Sequence, residues 1–364
     1  MLIMKIFHYR VFLLLACIMF TSQALANTSR QKESAVINTL FAETKPQCIG
    51  RYIIDVPQSF NNQLHDMVFI DDFKISSKWV YPPAFQQRIR LREQELRDAI
   101  NKPENEPEDA PYLKEVITLP DGRGVIYDHN ESDTPDIYRQ LEAHVYVNYV
   151  AFVITAEFRD FSGEKNKEKK ARYIARGFTE ADANTKPAKL AALQSLISRL
   201  SGRKDEEIPR GKGVCIPNGF IRDDGLYHKE KVTFSYKNDD FVFGVFTNNT
   251  YKGSSDTLFN RSAEIEKYLN LDSQYTIKKY KLSPGGISSQ AWLSAGKQNI
   301  IDTETKGKVV FPNYEFDLYA NEADASPDKP WFTIGIANES LKTQYSEAQM
   351  IEIWDRLVNS LRYK

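Results

Sequence analysis

The chain has 364 residues, with 48 Lys and Arg against 49 Asp and Glu, and its formal net charge is −1 at pH 7. Such a balance creates no strong electric field of either sign, so nucleic acid is not an expected partner. With 3 Cys and 5 His, the chain has few residues of the types that hold zinc or form a nucleophile and its base.

The N-terminus has the pattern of a secretory signal peptide over residues 1–26. Lys5 and Arg10 precede an apolar run, and a small-residue triplet ends at Ala26. We expect cleavage after Ala26 and a periplasmic product, because the run is shorter than the roughly 20 residues of a membrane anchor. No later run reaches that length, so stable membrane insertion is not expected. The alternative is a lipoprotein acylated at Cys17.

The first half is predicted as a strand, a helix, four strands and two closing helices. The first helix is predicted over Pro83–Ile100, and no element is predicted between Val56 and Pro83. The buried face of this helix would carry Phe85, Ile89, Leu96 and Ile100. The predicted strands cover residues 51–56, 112–119, 123–127, 138–148 and 150–158, and the closing helices cover 164–175 and 187–200.

The second half repeats this plan after Ser201–Gly213, a stretch with almost no apolar side chains that is predicted as the domain linker. Its predicted strands cover residues 231–236, 241–247, 275–282, 287–293, 308–319 and 331–337, and its helices cover 258–269 and 347–361. The last helices of both halves carry apolar residues at the same offsets. A duplication is therefore predicted, giving two similar consecutive α+β domains over residues 27–200 and 214–364, each a mainly antiparallel sheet with packed helices.

Two cysteines remain after processing, and each lies near the start of one half. In an oxidising compartment a disulfide between Cys48 and Cys215 is the first hypothesis. Closing so long a loop would remove chain entropy worth roughly 5 kcal/mol from the unfolded state. The alternative is two buried free thiols that pack as small apolar residues.

No catalytic motif is visible. The processed chain keeps His65, His129, His144 and His228, and no two of them have the helical i, i+4 spacing of a zinc protease. Phosphate-binding, dinucleotide-binding, C-x-x-C and G-x-S-x-G motifs do not occur either. We therefore expect a binding protein without a cofactor.

An acidic connection follows the third predicted strand. The stretch YDHNESDTPD brings together Asp128, Glu131, Asp133 and Asp136. Oxygen ligands of this kind could hold a hard cation, although the spacing is not that of a calcium loop. A solvated hairpin loop and a loop that contacts a protein partner are the other interpretations.

Tyrosines in predicted connections are further candidates for partner contact. Tyr251 and Tyr314 lie in such positions, and aromatic side chains are over-represented at binding hot spots. The candidate partner-binding residues are therefore Asp128, Glu131, Asp133, Asp136, Tyr251 and Tyr314.

The opening motif CIGRYIIDVP, Cys48–Pro57, resembles the start of the type VI secretion lipase immunity proteins, those cognate to class 4 phospholipase effectors. That family has a cysteine, a small residue, an arginine, an aromatic residue and a short strand ending in Asp, an aliphatic residue and Pro. The matching positions are Cys48, Gly50, Arg51, Tyr52, Asp55 and Pro57. Gly213–Ile221 and Phe332–Asn338 look like parts of the family's C-terminal domain.

The resemblance implies a periplasmic antidote with no reaction of its own, monomeric until it binds an α/β-hydrolase lipase. It also implies that two lobes grip the lipase as a clamp and block substrate access or lid opening. A disulfide between Cys48 and Cys215 would fix the two lobes before the partner arrives. The alternatives are an extracytoplasmic enzyme that uses the acidic cluster around His129, and an envelope scaffold lipoprotein.

Overall fold

The computed structural model describes residues 35–63, 67–301 and 306–364, so the predicted signal peptide and His65 lie outside the described residues. After a helical stretch at residues 35–40, the first half contains β1 (Thr44–Ile49), β2 (Tyr52–Pro57), β3 (Val68–Ile70), β4 (Phe73–Trp79), α1 (Pro82–Arg97), β5 (Leu113–Thr118), β6 (Gly124–Asn130), β7 (Tyr138–Val147), β8 (Val150–Arg159), α2 (Lys167–Ala175), α3 (Glu180–Ala183), α4 (Lys186–Arg199) and β9 (Leu200–Gly202).

The second half contains β10 (Gly213–Ile216), β11 (Gly219–Arg222), β12 (Glu230–Lys237), β13 (Val242–Asn248), α5 (Ser262–Leu271), β14 (Tyr275–Leu282), β15 (Ser289–Ile301), β16 (Lys308–Ala320), β17 (Trp331–Ala337), α6 (Glu347–Asn359) and β18 (Arg362–Tyr363). None of the helices in the described part of the chain combines the length and apolar character that a membrane span requires.

Both halves build the same antiparallel sheet. The first half orders its strands β3-β4-β8-β7-β6-β5, and the second half repeats this order as β12-β13-β17-β16-β15-β14. The predicted pair of similar α+β domains is therefore confirmed. The two sheets join into one 12-stranded sheet, because β3 pairs antiparallel with its own counterpart β12.

Two smaller sheets show that each half completes the other. Hairpin β1–β2 pairs with β18 at the end of the second half, whereas hairpin β10–β11 pairs with β9 at the end of the first half. The first hairpin packs on the second-half sheet, where the ring centroids of Tyr52 and Phe332 are 4.4 Å apart. The second hairpin packs on the first-half sheet, with Gly219 against Phe152. The hairpins are thus reciprocally exchanged.

The opening motif supplies the contacts of this exchange. Arg51, Tyr52 and Asp55 bond to partners that all lie in the second half: Asp223 at 3.0 Å and Glu230 at 2.6 Å for Arg51, the carbonyl of Pro330 for Tyr52, and Arg362 at 2.9 Å for Asp55. These ion pairs and hydrogen bonds hold hairpin β1–β2 on the other half. The motif is therefore structural in this chain.

A disulfide joins the two hairpins where they cross, which confirms the predicted bond between Cys48 and Cys215. Their Cα atoms are 5.6 Å apart, and both side chains are buried. Beside it, Gly50 and Cys215 exchange two backbone hydrogen bonds of 2.8 Å. Gly50 has φ of +58°, and a Cβ there would lie 2.4 Å from the side chain of Thr247, so this crossing requires glycine.

Arg203 anchors the start of the segment that was predicted as a linker. Its guanidinium donates to the carbonyls of Cys48, Ile216 and Gly219 at 3.1, 3.3 and 3.0 Å, and also to carbonyls of its own turn. Burial lowers the pKa of Arg203, because the charge loses hydration. Since the last two residues of β9 and Arg203 lie within Ser201–Gly213, this segment contacts both hairpins before it reaches β10.

One hydrophobic core lies under the inner face of the whole 12-stranded sheet. The closing helices α4 and α6 both contribute to it, with Leu193, Leu196 and Ile197 from α4 and Ile353, Trp354, Leu357 and Val358 from α6. The repeated apolar offsets of these helices therefore mark positions that face the same core.

The predictions before and after α1 are wrong. The stretch between Val56 and Pro83 contains β3 and β4, because exposed Lys74 and Lys78 interrupt the apolar residues of β4 and leave no run that predicts a strand. Ile100 is 43% exposed rather than buried, since α1 ends at Arg97 and a 3₁₀ turn changes the direction of the chain.

Removing the disulfide in a C48A/C215A variant is expected to lower the free energy of unfolding by about 2–5 kcal/mol. The bond closes a loop between residues 167 positions apart, and it fixes the crossing of the exchanged hairpins. Urea denaturation followed by tryptophan fluorescence measures the change. An unchanged free energy of unfolding would mean that the noncovalent contacts of the exchanged hairpins stabilise the fold without help from the disulfide.

Candidate binding surface

The outer face of the central sheet, opposite the core, is covered at both ends and open between them. Helix α1 lies over β6 and β7, where the ring of Phe85 stacks on Tyr146 with centroids 4.9 Å apart. Helix α5 lies over β14, where Lys279 and Glu266 form an ion pair of 2.7 Å. Between these helices the outer side chains of β12, β13, β16 and β17 are half-buried or exposed. We call this region the open face.

Strict alternation along the strands creates the open face. Every second residue of β12, β13 and β17 is buried in the core, so the residues between them point the other way. The open face of these strands consists of Lys231, Thr233, Ser235 and Lys237 of β12, Val242, Gly244, Phe246 and Asn248 of β13, and Trp331, Thr333, Gly335 and Ala337 of β17.

In the first half, a buried carboxylate on the outer face has partners within the chain. Glu142 of β7 accepts a hydrogen bond of 2.6 Å from Arg92 of α1, and it contacts the Nε2 atoms of His129 and His144 at 3.2 and 2.6 Å. Burial alone would raise the pKa of Glu142, but these partners hold it well below its usual range. The ionised carboxylate therefore fixes α1 on the sheet.

The second half has an acid on the corresponding strand, without such partners. Asp317 of β16 is half-buried, and no residue in the described part of the chain donates a hydrogen bond to its carboxylate. Burial raises the pKa of Asp317 to about 7, and the negative charge of Glu315 acts in the same direction. The carboxyl group is consequently near half-protonated at neutral pH.

Four half-buried aromatic rings lie on the same half of the outer face. The ring centroid of Trp331 is 5.7 Å from Phe246, 5.4 Å from Tyr251 and 6.0 Å from Tyr319. We call these four residues the aromatic patch. Rigid aromatic side chains that keep part of their surface exposed are typical of binding hot spots.

Two of the acids predicted to contact a partner are inside the protein. Asp128 forms an ion pair of 2.6 Å with Lys186, and Asp136 forms one of 3.0 Å with Lys165. Both carboxylates are buried, so they hold the connection between β6 and β7 from within. In the described part of the chain, no three His, Cys, Asp or Glu side chains come together as a metal site.

The other four candidates do not form one site. Glu131 is half-buried and accepts a hydrogen bond from Gln140, while Asp133 is exposed. Tyr314 is buried in β16, whereas Tyr251 belongs to the aromatic patch. Strand β16 lies eight strand positions from β6, which is about 38 Å along the sheet. Partner contact stays a prediction for Glu131, Asp133 and Tyr251.

Asp317, Gly244 and Gly335 are not among the residues predicted from the sequence. A single glycine inside an apolar strand pattern is a recognised signal of close approach, and both GVF and TIGIA contain one. The signal becomes specific only when the strand register places the two glycines opposite each other.

A duplicated α+β fold with a half-exposed aromatic patch and an acid without a partner defines a binding protein of two domains. The model of the Tle cognate immunity protein 4 N-terminal domain matches residues 45–203, and that of the C-terminal domain matches residues 207–364. The chain therefore belongs to the Tle cognate immunity protein 4 family, as its opening motif predicted, and it is an immunity protein rather than an enzyme. No curated protein matches the sequence.

Solved structures share the fold at low sequence identity. The apo structure of the immunity protein TplEi of the type VI secretion system from Pseudomonas aeruginosa is 18% identical, with a TM-score of 0.62 over 88% of this chain and 97% of that one. The crystal structure of the Tle4–Tli4 complex contains a chain that is 19% identical, with the same TM-score over 88% of this chain and 97% of that one. At such identity the likeness shows the fold alone.

Replacing Asp317 by Asn is expected to stabilise the protein above pH 7 and to change little near pH 4. The pKa of about 7 in the folded state exceeds the ordinary 3.8, so between these values the folded state keeps a proton that the unfolded state has lost. The stability of the wild type therefore falls as pH rises from about 4 to 7. At pH 8 the variant should unfold about 2–4 °C higher, the shift that roughly 1 kcal/mol produces.

Thermal unfolding between pH 4.5 and 8.5 checks this expectation. The matched control is E168Q, which removes the same charge from an exposed position on α2. A D317N variant whose unfolding temperature differs from that of the wild type by the same amount at every pH contradicts the assignment.

Proposed function

We propose that this chain is exported to the periplasm, where it binds and inhibits a phospholipase effector of the Tle type. The observation that carries the proposal is membership of the immunity family through both domains. The likeness to a chain of the Tle4–Tli4 complex supports a Tle effector as the partner. The buried disulfide supports export, since such bonds persist in oxidising compartments.

A rigid body supports binding through a preformed surface. The sheet continues from one half into the other, the hairpins are exchanged, and the disulfide ties the hairpins together. The two halves therefore keep one relative orientation, so the proposed clamp is fixed rather than hinged. A preorganised surface loses little conformational freedom on binding, and more of the contact energy remains as affinity.

We assign the effector contact to the open face and the adjoining aromatic patch. The four rings of the patch offer apolar area and lose little conformational entropy on binding. Asp317 offers a carboxylate that no residue in the described part of the chain pairs with. The partner in this proposal is an α/β-hydrolase lipase, and the immunity protein is monomeric before it binds.

Inhibition follows if the immunity protein covers the substrate entrance of the lipase or holds its lid closed. Binding energy acts on the lid equilibrium only through the difference in affinity between the closed and open states. A preference of about 10⁴-fold for the closed state, roughly 5.5 kcal/mol, is enough to reverse that equilibrium.

The test uses the mature chain and a Tle-type lipase, sought among the genes beside its own and called here the neighbouring lipase. We expect the lipase to hydrolyse phospholipid vesicles alone and to lose activity in proportion to added immunity protein, up to one equivalent. The immunity protein alone should release no fatty acid, with or without calcium. An unrelated lipase is the control and should remain active. Full activity of the neighbouring lipase in excess immunity protein would falsify the proposal.

A further inference from the structure

The open face carries a pair of glycines that the fold itself does not need. Gly244 of β13 lies directly opposite Gly335 of β17. A Cβ on Gly244 would meet nothing within 4 Å, and one on Gly335 would lie 3.6 Å from Asp317 Oδ1, an ordinary contact distance. Neither residue has a positive φ. Because glycine weakens a strand, such positions mark a close approach by another molecule.

These glycines form the floor of a short trough across the strands. Ser235 of β12 lies opposite Gly244, and Asp317 of β16 lies opposite Gly335. Ser235, Gly244, Gly335 and Asp317 therefore form one row across four neighbouring strands, and the two central positions of the row have no side chain. Phe246 stands beside the row on the same face of β13. The Asp317 oxygen, 3.6 Å from the missing Cβ of Gly335, lies over this floor.

The first half shows what an outer-face acid on the corresponding strand binds. Glu142 of β7 lies opposite Thr155 of β8, which lies opposite Lys74 of β4, so this row corresponds strand by strand to the row of Asp317. Helix α1 supplies the Arg92 guanidinium to Glu142 at 2.6 Å. Strands β4 and β8 contain no glycine. The first half therefore pairs its acid, Glu142, with its own Arg92. In the described part of the second half, Asp317 has no such partner, and the surface over the two glycines is open.

We propose that Asp317 and the trough over Gly335 and Gly244 receive an arginine or lysine side chain of the effector. The assignment rests on the proposed function and names the chemistry of that contact. The cationic head pairs with Asp317 as Arg92 pairs with Glu142, while the aliphatic stem lies on the glycine floor beside Phe246. The carboxylate is then satisfied only in the complex.

Two variants test the contact with the neighbouring lipase. D317N removes the charge, and its expected greater stability at pH 8 separates a loss of binding from unfolding. G244V fills the trough with a β-branched side chain that suits a strand and has free space for its Cβ. By isothermal titration calorimetry at pH 8, each variant should bind the lipase about 30-fold or more weakly than the wild type. The control E168Q should bind as the wild type does.

A second measurement needs no effector. The peptide acetyl-Gly-Gly-Arg-Gly-Gly-amide at millimolar concentration should shift the amide NMR signals of Gly244 and Gly335 in the wild type. It should leave them unchanged in D317N, and the matching citrulline peptide should shift neither signal.

The outcomes separate the two proposals. Unchanged lipase affinity in both variants overturns the basic side-chain site and leaves the immunity role intact. If the lipase does not bind the wild type, the proposed function fails, and the peptide measurement alone decides whether the site binds a basic side chain. Shifts of both glycine signals with the arginine peptide then support the site, and their absence overturns it.

Discussion

Each half of the central sheet is covered by a hairpin that belongs to the other half, and the rest of the structure depends on this exchange. Hairpin β1–β2 packs Tyr52 against Phe332 of the second half, and hairpin β10–β11 packs Gly219 against Phe152 of the first half. Separating the halves would expose apolar surface on both inner faces at once, at about 25 cal/mol per Å². The disulfide stands at the crossing and ties both hairpins together. The outer face therefore has one geometry from α1 to α5.

The two halves share a fold but treat their outer-face acids differently. Glu142 is ionised because Arg92 and two histidines surround it, and this cluster serves stability by holding α1. Asp317 has lost hydration without gaining a partner, which disfavours its charged form in the free protein. A residue that costs stability in the isolated chain is typical of a binding surface, where function rather than folding explains its presence.

Much of the fold was predictable because the spacing of apolar residues along the chain indicates its strands and helices. Alternation predicted most strands of the central sheet, and the apolar offsets predicted the closing helices. The hairpin exchange was not predictable, since pairing between residues as far apart as Ile53 and Arg362 leaves no local signal. The density of acids along the sequence suggested an exposed loop that contains Asp128 and Asp136. Both carboxylates are instead buried and paired with Lys186 and Lys165, which lie far away along the chain. Asp317 shows the opposite case. In the sequence it is an ordinary strand residue, and its raised pKa results from its surroundings in the folded sheet.

Duplication explains how one surface can be rigid and still specialised. In the first half, α1 covers the outer face of β6 and β7, and its Arg92 pairs with Glu142. In the second half, the row from Ser235 to Asp317 is bare over Gly244 and Gly335, and the aromatic patch lies on the same half of the outer face. Because β3 and β12 make the two halves one sheet, the closed half holds the open half in position. Contact with a partner is then expected to be asymmetric, although the fold that presents it is a repeat.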